Sequence, residues 1–566
     1  MALSDVSGKN KISIIPEPVS AEVLQGSFLL NGKTGLVLVN AQEARNSADF
    51  FKGYLRRYYS FSVKEVGKER WIKGADKEGR NTIVLAVEQD SLARIGAYTL
   101  LVTPDKIVVT GKNEQGLFYG VQTLLQLLPV AAVPALATRT ASTSASTSTS
   151  TSTSASAFTP TLAETLEIPC VKIEDEPRFE YRGMHLDVVR HIFSVEYLKK
   201  YIDYLALHKM NYFHWHLTDD QGWRMECKSH PELNEKGAYR DATIIGIFPG
   251  TGVDSTRYGG YYTIEQLKEV VDYAARRYIT VVPEIDIPGH SMAILAAYPQ
   301  FGTQPQRAVK PAITWGIFNR ENNVLAPSDE VFVFLEDVFN ELMDIFPGKY
   351  IHMGADECAH KWWKESAEVQ QFIKEHHLKD EKGLQKYFAQ KVSDVITARN
   401  RVAVGWDEMV DNGLIDNVAV MSWRNEKGAY KAAKQGHKAI LTPSAYSYLN
   451  YKQKEKEDSL CHTARLVSLD KVYKFEPVPD SLSTVQAANI LGGGGCMWTE
   501  YFPTVKRVEY AIFPRMSAIA EVYWSDKKLK NWPLFLLKLP AMFDRYDLWG
   551  ANYSSYIFDY ECFPRK

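Results

Sequence analysis

The stretch Tyr350-Ile351-His352-Met353-Gly354-Ala355-Asp356-Glu357 joins a short apolar segment to two adjacent carboxylates. It predicts a β-strand over 350–354 whose carboxyl end carries both acids. Barrel enzymes place reactive groups at such ends, because the strand fixes the backbone while the following loop exposes the side chains. Strand alternation would point the two acids in opposite directions, so the backbone is expected to leave strand geometry here. An isolated Asp-Glu pair would more simply begin a helix, where acids suit the macrodipole.

The same alternation of apolar strand and polar end recurs throughout the second half of the chain. The predicted strands are Gly183–Val188, Met210–His216, Ile279–Ile285, Tyr350–Gly354, Val402–Trp406, Ala419–Trp423, Lys438–Leu441 and Gly495–Trp498. Helical patterns separate most of them, for example Val195–Leu207, Ile264–Arg277, Asp329–Ile345 and Gly383–Asn400. Eight strands alternating with helices favour an α/β fold, a (β/α)8 TIM barrel, over a doubly wound sheet. The four glycines Gly492–Gly495 predict a tight turn rather than a phosphate-binding loop.

A smaller α+β domain is predicted over residues 11–137. Thr82–Val87 has the composition of a strand, Tyr98–Val102 and Lys106–Thr110 flank a hairpin turn, and Gly116–Leu128 has helical spacing. Residues 138–165 contain a run of Ser, Thr and Ala that cannot bury enough apolar surface to order itself, and predict a linker or insertion near the domain boundary. The barrel is assigned to 170–535, and 536–566 to a C-terminal extension packing on it.

Composition excludes several classes of protein. The 566-residue chain has a net charge of −2, which argues against a nucleic-acid partner. No apolar run is long enough to span a bilayer. The six cysteines are scattered without a CxxC pair, so neither a zinc site nor a disulfide framework is indicated. The polar first ten residues leave two interpretations open, a cytosolic protein or an exported one whose signal has been removed.

Most predicted strands end in residues suited to a polar, ring-shaped ligand. Those ends are Asp187 with Arg190-His191, His214 through Trp223, Pro283 through His290, Asp356-Glu357, Trp406-Asp407-Glu408, Trp423-Arg424 and Trp498-Thr499-Glu500. A single tryptophan is ordinarily a core residue. Three at equivalent strand ends instead predict a pocket whose aromatic walls pack on the apolar face of a sugar ring.

Two rival functions follow from the same residues. His214 and His216 are two apart on a strand, so both could face the barrel interior as a metal pair, completed by His290, His352 and Asp356. A metal-dependent hydrolase would lose its activity to a strong chelator and regain it with zinc. The other rival is a sugar-binding barrel without turnover, which would keep the tryptophans but lose the acid.

Five ordered motifs make most of the chain resemble family 20 glycoside hydrolases, the β-N-acetylhexosaminidases. The motifs are Pro177 through Gly183, His214 through Trp223, Pro283 through His290, His352 through Glu357, and Trp498-Thr499-Glu500. The resemblance implies an exo-acting, retaining enzyme without a cofactor, which removes terminal N-acetylglucosamine or N-acetylgalactosamine from β-linked glycans. In this family the substrate's own 2-acetamido group attacks the anomeric carbon and forms an oxazolinium intermediate.

The resemblance also implies a role for each catalytic residue. Glu357 would protonate the leaving oxygen and later activate water, which calls for a raised pKa. Asp356 would accept the acetamide N–H and stabilise the positively charged intermediate. Tyr448 would donate to the acetamide carbonyl. Asp219, preferred here over the neighbouring Asp220, would form with His290 a relay behind the acid.

The remaining carried-over residues bind the sugar. Trp406, Trp423 and Trp498 would line its pocket, and Arg182, Glu500 and Asn450 would bind hydroxyls. Many family members have an acid where Asn450 stands, which leaves gluco against galacto preference open. The segment 291–327 is expected to form the pocket rim. The resemblance implies export to a periplasm or the cell exterior, and it leaves the oligomeric state open.

Overall fold

The computed structural model describes residues 12–67, 81–130, 165–457 and 461–559. They form two compact units. One comprises the described residues up to Arg178 together with Trp524–Ser554, and the other comprises Phe179–Tyr523 with the described residues from Ser555 onward. Among the helices of these residues, none combines the length and the apolar character that crossing a membrane requires.

The N-terminal unit is built on a seven-stranded mixed sheet. In spatial order its strands are Ser20–Asn31, Thr165–Asp175, Tyr98–Val102, Lys106–Gly111, Thr82–Val87, Gly35–Val39 and Lys64–Glu65. Helices Ala41–Tyr59 and Glu114–Gln126 pack on it, the second held at its start by an Asn113 side chain that accepts the Gly116 N–H. The predicted strand, hairpin and helix of this domain are therefore confirmed, with the helix beginning two residues earlier than expected.

The predicted position of the boundary between the domains is wrong. Strand Thr165–Asp175 pairs antiparallel with both Ser20–Asn31 and Tyr98–Val102, and so belongs to the N-terminal sheet. The Ser/Thr run lies outside the described residues, between the helix ending at Gln126 and this last strand of the same unit. The boundary falls between Arg178 and Phe179.

The C-terminal helix Trp532–Leu548 belongs to the N-terminal unit, not to the barrel as predicted. Its Arg545 guanidinium donates to the Ser13 carbonyl at 3.0 Å, and the following Trp549 indole donates to the Tyr54 hydroxyl at 3.0 Å. Only the residues from Ser555 onward group with the barrel, where the Tyr556 hydroxyl accepts the Leu469 N–H at 2.9 Å.

The second unit is a closed barrel of eight parallel strands, as predicted. In chain order they are Tyr181–Asp187, Tyr212–His216, Thr280–Ile287, Tyr350–Gly354, Val402–Trp406, Val418–Ser422, Ala439–Leu441 and Ile490–Met497, hereafter barrel strands one to eight. The principal helices between and after them are Val195–Leu207, Ile264–Ala275, Asp329–Ile345, Glu381–Ala398, Lys427–Lys434, Val505–Ile512 and Arg515–Trp524. The carboxyl ends of all eight strands therefore meet at one face of the barrel.

The four glycines lie inside barrel strand eight, so the predicted turn is wrong. A Cβ on Gly493 would lie 2.0 Å from the Leu441 carbonyl oxygen, and one on Gly494 would lie 2.1 Å from that of Gly183. Both carbonyls belong to the strands on either side. The glycines therefore allow strand eight to lie close to both neighbours as it closes the barrel.

Candidate active site

The backbone leaves strand geometry where barrel strand four ends, as predicted. Gly354, Ala355 and Glu357 have φ of 67°, 72° and 38°. The Ala355 N–H still donates to the Ile287 carbonyl at 3.0 Å, which fixes the turn to barrel strand three. As a result Asp356 and Glu357 both reach one cavity of about 300 Å³ at the carboxyl face of the barrel.

This cavity gathers most of the predicted site residues. It is lined by Asp219, His290, Asp356, Glu357, Trp423, Tyr448, Asn450, Trp498 and Glu500 from the prediction, together with Arg190, Asp220, Asp286, Trp315, Tyr451 and His462 among others. These residues come from seven different barrel strands or the loops that follow them. Segments more than 280 residues apart in the chain thus converge on one site.

His290 connects the acid Glu357 to two buried aspartates. Its Nδ1 lies 3.0 Å from Asp219 Oδ1 and 3.0 Å from Asp220 Oδ2, while its Nε2 lies 3.6 Å from Glu357 Oε2. Burial alone would lower the pKa of His290, but Asp219 and Asp220 raise it well above its ordinary value. The predicted relay is present, with Asp220 as a second anchor.

The raised pKa expected for Glu357 is wrong. Burial would raise the pKa of Glu357, but the hydrogen bond and the charge of His290 lower it. The Glu357 side chain is 41% exposed, so it lies at the mouth of the cavity rather than against an apolar wall. His290 therefore holds a proton in preference to Glu357.

Asp356 lies deeper and has the opposite shift. Burial raises the pKa of Asp356 to about 6, with His290 opposing the increase and Glu357 adding to it. Burial likewise raises the pKa of Tyr448 well above its usual value, so its hydroxyl remains a hydrogen-bond donor. The cavity thus contains the Asp356 carboxyl group as an acceptor and the Tyr448 hydroxyl as a donor.

Arg182 is not in the site, which corrects the prediction. It is the second residue of barrel strand one and lies at the amino end of the barrel, where its guanidinium donates to the carbonyls of Lys209 and Phe179 at 3.0 and 2.7 Å. Arg190, after the carboxyl end of the same strand, lines the cavity instead. Its Nη2 lies 2.7 Å from Asp219 Oδ2. Only carboxyl ends face a barrel's active site, and that rule favours Arg190 from sequence.

Two of the three predicted tryptophans form the cavity wall. Trp423 stacks with Tyr448 at a centroid distance of 6.0 Å and 14° between the planes, and Trp498 lies 6.1 Å from Tyr448. Trp406 is not among the lining residues. It is the last residue of barrel strand five and points into the barrel core, where its indole donates to Glu284 Oε1 at 2.8 Å. It therefore supports Trp498 from beneath, at 6.1 Å.

Asn450 and Glu500 of the cavity wall, like Asp356, have unused acceptor atoms. Asn450 Oδ1 and Glu500 Oε2 are buried and accept no hydrogen bond from any residue that the structure describes. Burial raises the pKa of Glu500 to about 7 although Arg190 opposes the increase. Buried acceptors of this kind are suited to ligand hydroxyls, which would supply the missing donors.

Glu284, for which the sequence indicated no role, is the centre of a histidine group in the barrel core. Its Oε2 lies 2.9 Å from His214 Nε2 and 2.7 Å from His216 Nδ1, and its Oε1 lies 3.2 Å from His352 Nδ1. His214 and His216 do face inward together, as the metal-dependent alternative required. His290 belongs to the cavity instead, so the ligand set of that alternative is divided between two places. Contacts with Glu284 account for the inward placement of His214, His216 and His352.

The rim of the cavity comes from loops without a strong sequence signal. Trp315, Gly316 and Ile317 line it, which confirms the expectation for the segment 291–327. Phe248 and Tyr501 complete the rim, with the Phe248 N–H donating to the Tyr501 hydroxyl at 3.3 Å. Phe318, in the same segment, is 43% exposed and does not line the cavity.

Acidic side chains at the strand ends of a (β/α)8 barrel, enclosed by tryptophan and tyrosine, define the active site of a glycoside hydrolase. Residues 179–527 match the catalytic domain of glycosyl hydrolase family 20, and residues 11–176 match domain 2 of that family. The chain therefore belongs to glycosyl hydrolase family 20.

Relatives extend over nearly the whole chain. A β-hexosaminidase of Porphyromonas gingivalis is 37% identical over 544 residues, which cover 96% of this chain and 64% of that protein. A β-hexosaminidase of Akkermansia muciniphila is 30% identical and covers 82% of this chain and 86% of its own length. The crystal structure of an exo-β-N-acetylglucosaminidase from Vibrio harveyi, in complex with N-acetylglucosamine, matches with a TM-score of 0.79 at 30% identity, over 96% of this chain and 78% of that one.

Proposed function

We propose that this chain is an exo-acting, retaining β-N-acetylhexosaminidase that uses the acetamide of its substrate as the nucleophile. The observation that carries the proposal is the placement of Asp356 beside Tyr448, Trp423 and Trp498 in one cavity. An acetamide has an N–H donor, a carbonyl acceptor and an apolar methyl group. The Asp356 carboxylate accepts from the N–H, the Tyr448 hydroxyl donates to the carbonyl, and the indole wall packs on the methyl group.

In the first step the acetamide carbonyl oxygen attacks the anomeric carbon as the glycosidic bond breaks. Glu357 gives its proton to the leaving oxygen. His290 Nε2, 3.6 Å from Glu357 Oε2, supplies that proton, and its transfer to Glu357 forms the neutral acid. Holding the acetamide in place makes the attack intramolecular, which raises its effective concentration.

In the second step water replaces the acetamide at the anomeric carbon. The ionised Glu357 now accepts a proton from that water, and the oxazolinium ring opens to the original acetamide. Asp356 accepts the acetamide N–H in both steps, and its charge stabilises the cation between them. Two displacements at one carbon retain its configuration. The proposed chemistry uses these side chains, the substrate and water.

The cavity favours a single terminal sugar. Its volume of about 300 Å³ is at the small end of ligand pockets, which is consistent with exo action. The unused acceptors of Asn450 and Glu500 are available for outer hydroxyls of N-acetylglucosamine or N-acetylgalactosamine. The complex of the Vibrio harveyi relative with N-acetylglucosamine supports the same class of ligand. We place the enzyme in a periplasm or outside the cell, where such glycans occur.

Proton NMR of the first product tests the proposal. A β-linked chitobioside is hydrolysed in the spectrometer, and the anomeric signal of the released N-acetylglucosamine is followed before mutarotation. Retention predicts that the β-anomer appears first. Initial release of the α-anomer would exclude a double displacement and with it the role assigned to the acetamide.

A further inference from the structure

Asp286 is a buried acid of the site that the proposed reaction does not use. It lies on barrel strand three, two residues after Glu284, and is 2% exposed. Residues two apart on a strand share a face, so Asp286 points into the barrel one level nearer the cavity than Glu284 does. It lines the cavity beside Asp356 and His290.

We propose that Asp286 is a positioning residue, a neutral carboxylic acid that donates a hydrogen bond to Asp356. The inference rests on the proposed function only in the role given to Asp356 there. In this arrangement one oxygen of Asp356 is used by Asp286 and the other remains for the acetamide N–H. Asp286 thereby sets the orientation of the carboxylate that binds the substrate.

The turn after barrel strand four is shaped around Asp286. Its Oδ1 accepts the Ala355 N–H at 3.2 Å, and its own N–H donates to the Thr218 hydroxyl at 3.0 Å. A Cβ on Gly354 would come within 1.7 Å of Asp286 Oδ1. The missing side chain of Gly354 therefore makes room for this carboxyl group. With Oδ1 in use as an acceptor, Oδ2 is the oxygen left to hold a proton.

The contact between Asp286 and Asp356 requires a proton. An oxygen of each carboxyl group lies within 4.8 Å of the other and of a ring nitrogen of His290. Two ionised carboxylates have four acceptor oxygens and no donor, so they repel. One of the two acids must be neutral.

The surrounding charges decide which acid is neutral. Among the described residues at this contact, the nearest cation is His290, whose Nδ1 is already shared by Asp219 and Asp220. Its Nε2 lies 3.8 Å from Asp356, and Asp356 is also the more exposed acid, at 13%.

Asp286, in contrast, has the ionised Glu284 and Asp219 among its neighbours. Burial and the charge of Asp356 raise the pKa of Asp286 well above its ordinary value, while His290 lowers it only in part. The proton therefore belongs to Asp286 and the negative charge to Asp356.

Two substitutions at this position distinguish a neutral donor from an ionised carboxylate. Asp286→Asn keeps a carbonyl oxygen for Ala355 and an N–H donor for Asp356, whereas Asp286→Ala removes both. We expect kcat of Asp286→Ala to fall at least about tenfold more than that of Asp286→Asn. Only the alanine variant leaves the ionised Asp356 without a hydrogen-bond donor at this position. KM for an aryl N-acetyl-β-glucosaminide should change less than kcat. Equal losses in both variants would overturn the proposal, and so would parental kcat in both.

An infrared measurement tests the protonation state without relying on catalysis. At neutral pH the unliganded enzyme labelled with 13C-aspartate should show the carbonyl band of a protonated carboxyl group, shifted in D2O and missing from Asp286→Asn. Absence of the band from the parent protein would overturn the neutral acid even if the variants fail to fold. This measurement needs no substrate, so it separates the two proposals. If the acetamide mechanism is wrong, the infrared band of Asp286 is still expected, whereas loss of the band contradicts only the neutral Asp286.

Discussion

His290 and Glu357 face each other with 3.6 Å between Nε2 and Oε2. The imidazole is held from its other side by Asp219 at 3.0 Å, so the charge that it carries is stabilised within the barrel. This relationship couples the proton of the relay to the group that we propose protonates the leaving oxygen. It also explains why the pKa of Glu357 is lowered.

Glu357→Gln should remove general acid catalysis while preserving the shape of the site. We expect kcat/KM to fall by about 10²–10⁴ for a substrate with a poor leaving group, since an amide cannot protonate the leaving oxygen. Loss on an aryl glycoside with a good leaving group should be much smaller. Glu336→Gln, on the exposed side of helix Asp329–Ile345, is the matched control and should behave like the parent. Equal losses on both substrates would argue against Glu357 as the acid.

Asp356→Asn should lower turnover more than binding. The amide keeps the size of the side chain but cannot stabilise a cation with its charge, so kcat should fall by about 10²-fold or more while KM changes little. Steady-state kinetics on an aryl N-acetyl-β-glucosaminide measure both quantities. Parental kcat in this variant would contradict the role of Asp356.

The acidic limb of the pH profile should come from Asp356. Burial raises the pKa of this group to about 6 in the folded protein, so its active, ionised form is lost as the pH falls through 6. The profile of kcat/KM reports groups of the free enzyme, and it should therefore rise between about pH 5 and 7. Asp356→Asn should show no such rise. A limb that persists unchanged in the variant would have to belong to another group.

Much of the barrel is predictable because its strands are buried and apolar and their ends are polar. Strands Tyr350–Gly354 and Val402–Trp406 were located to the residue, and the acid pair fell at the end of the first. The turn predicted for Gly492–Gly495 is wrong because glycine serves both in turns and at close backbone contacts, and the sequence alone does not distinguish the two. The contact between Gly494 and Gly183 depends on a neighbour that is remote in the chain.

The site was harder to predict than the fold where a residue's position along the strand matters. Arg182 lies near the start of barrel strand one and Arg190 follows its end, and only the direction of the chain through the barrel separates a structural role from a role in the cavity. The role predicted for Trp406 is wrong because this last residue of its strand points into the core, where its indole donates to Glu284. The roles of Asp286 and Glu284 could not be predicted from the sequence, because the residues that they contact come from other strands.

Gly494→Ala should destabilise the barrel. The new Cβ would lie 2.1 Å from the Gly183 carbonyl oxygen, which belongs to the backbone of the adjacent strand and cannot move aside. We expect a decrease of about 3 kcal/mol in the free energy of unfolding, typical of overpacking. Chemical denaturation measures it. Gly53→Ala, with no atom within 4 Å of the new Cβ in helix Ala41–Tyr59, is the control and should be neutral or stabilising. Similar stability in both variants would contradict the close contact.

Glu500→Gln should weaken substrate binding. Its Oε2 is buried without a donor among the described residues, so a sugar hydroxyl is expected to supply one. Replacing the carboxyl group by an amide removes an acceptor oxygen and should raise KM by about tenfold, with a smaller effect on kcat. The comparison uses the gluco and galacto forms of one aryl N-acetyl-β-hexosaminide. An unchanged KM for both would place Glu500 outside the binding site.

The most direct test of acetamide participation compares two aryl substrates that differ only at carbon 2. One is the N-acetyl-β-glucosaminide, and the other is the β-glucoside, which has a hydroxyl in place of the acetamide. We predict rapid hydrolysis of the first and almost none of the second, because the second lacks the nucleophile. Equal kcat/KM for the two substrates would mean that the protein supplies its own nucleophile, which would contradict the roles assigned to Asp356 and Tyr448.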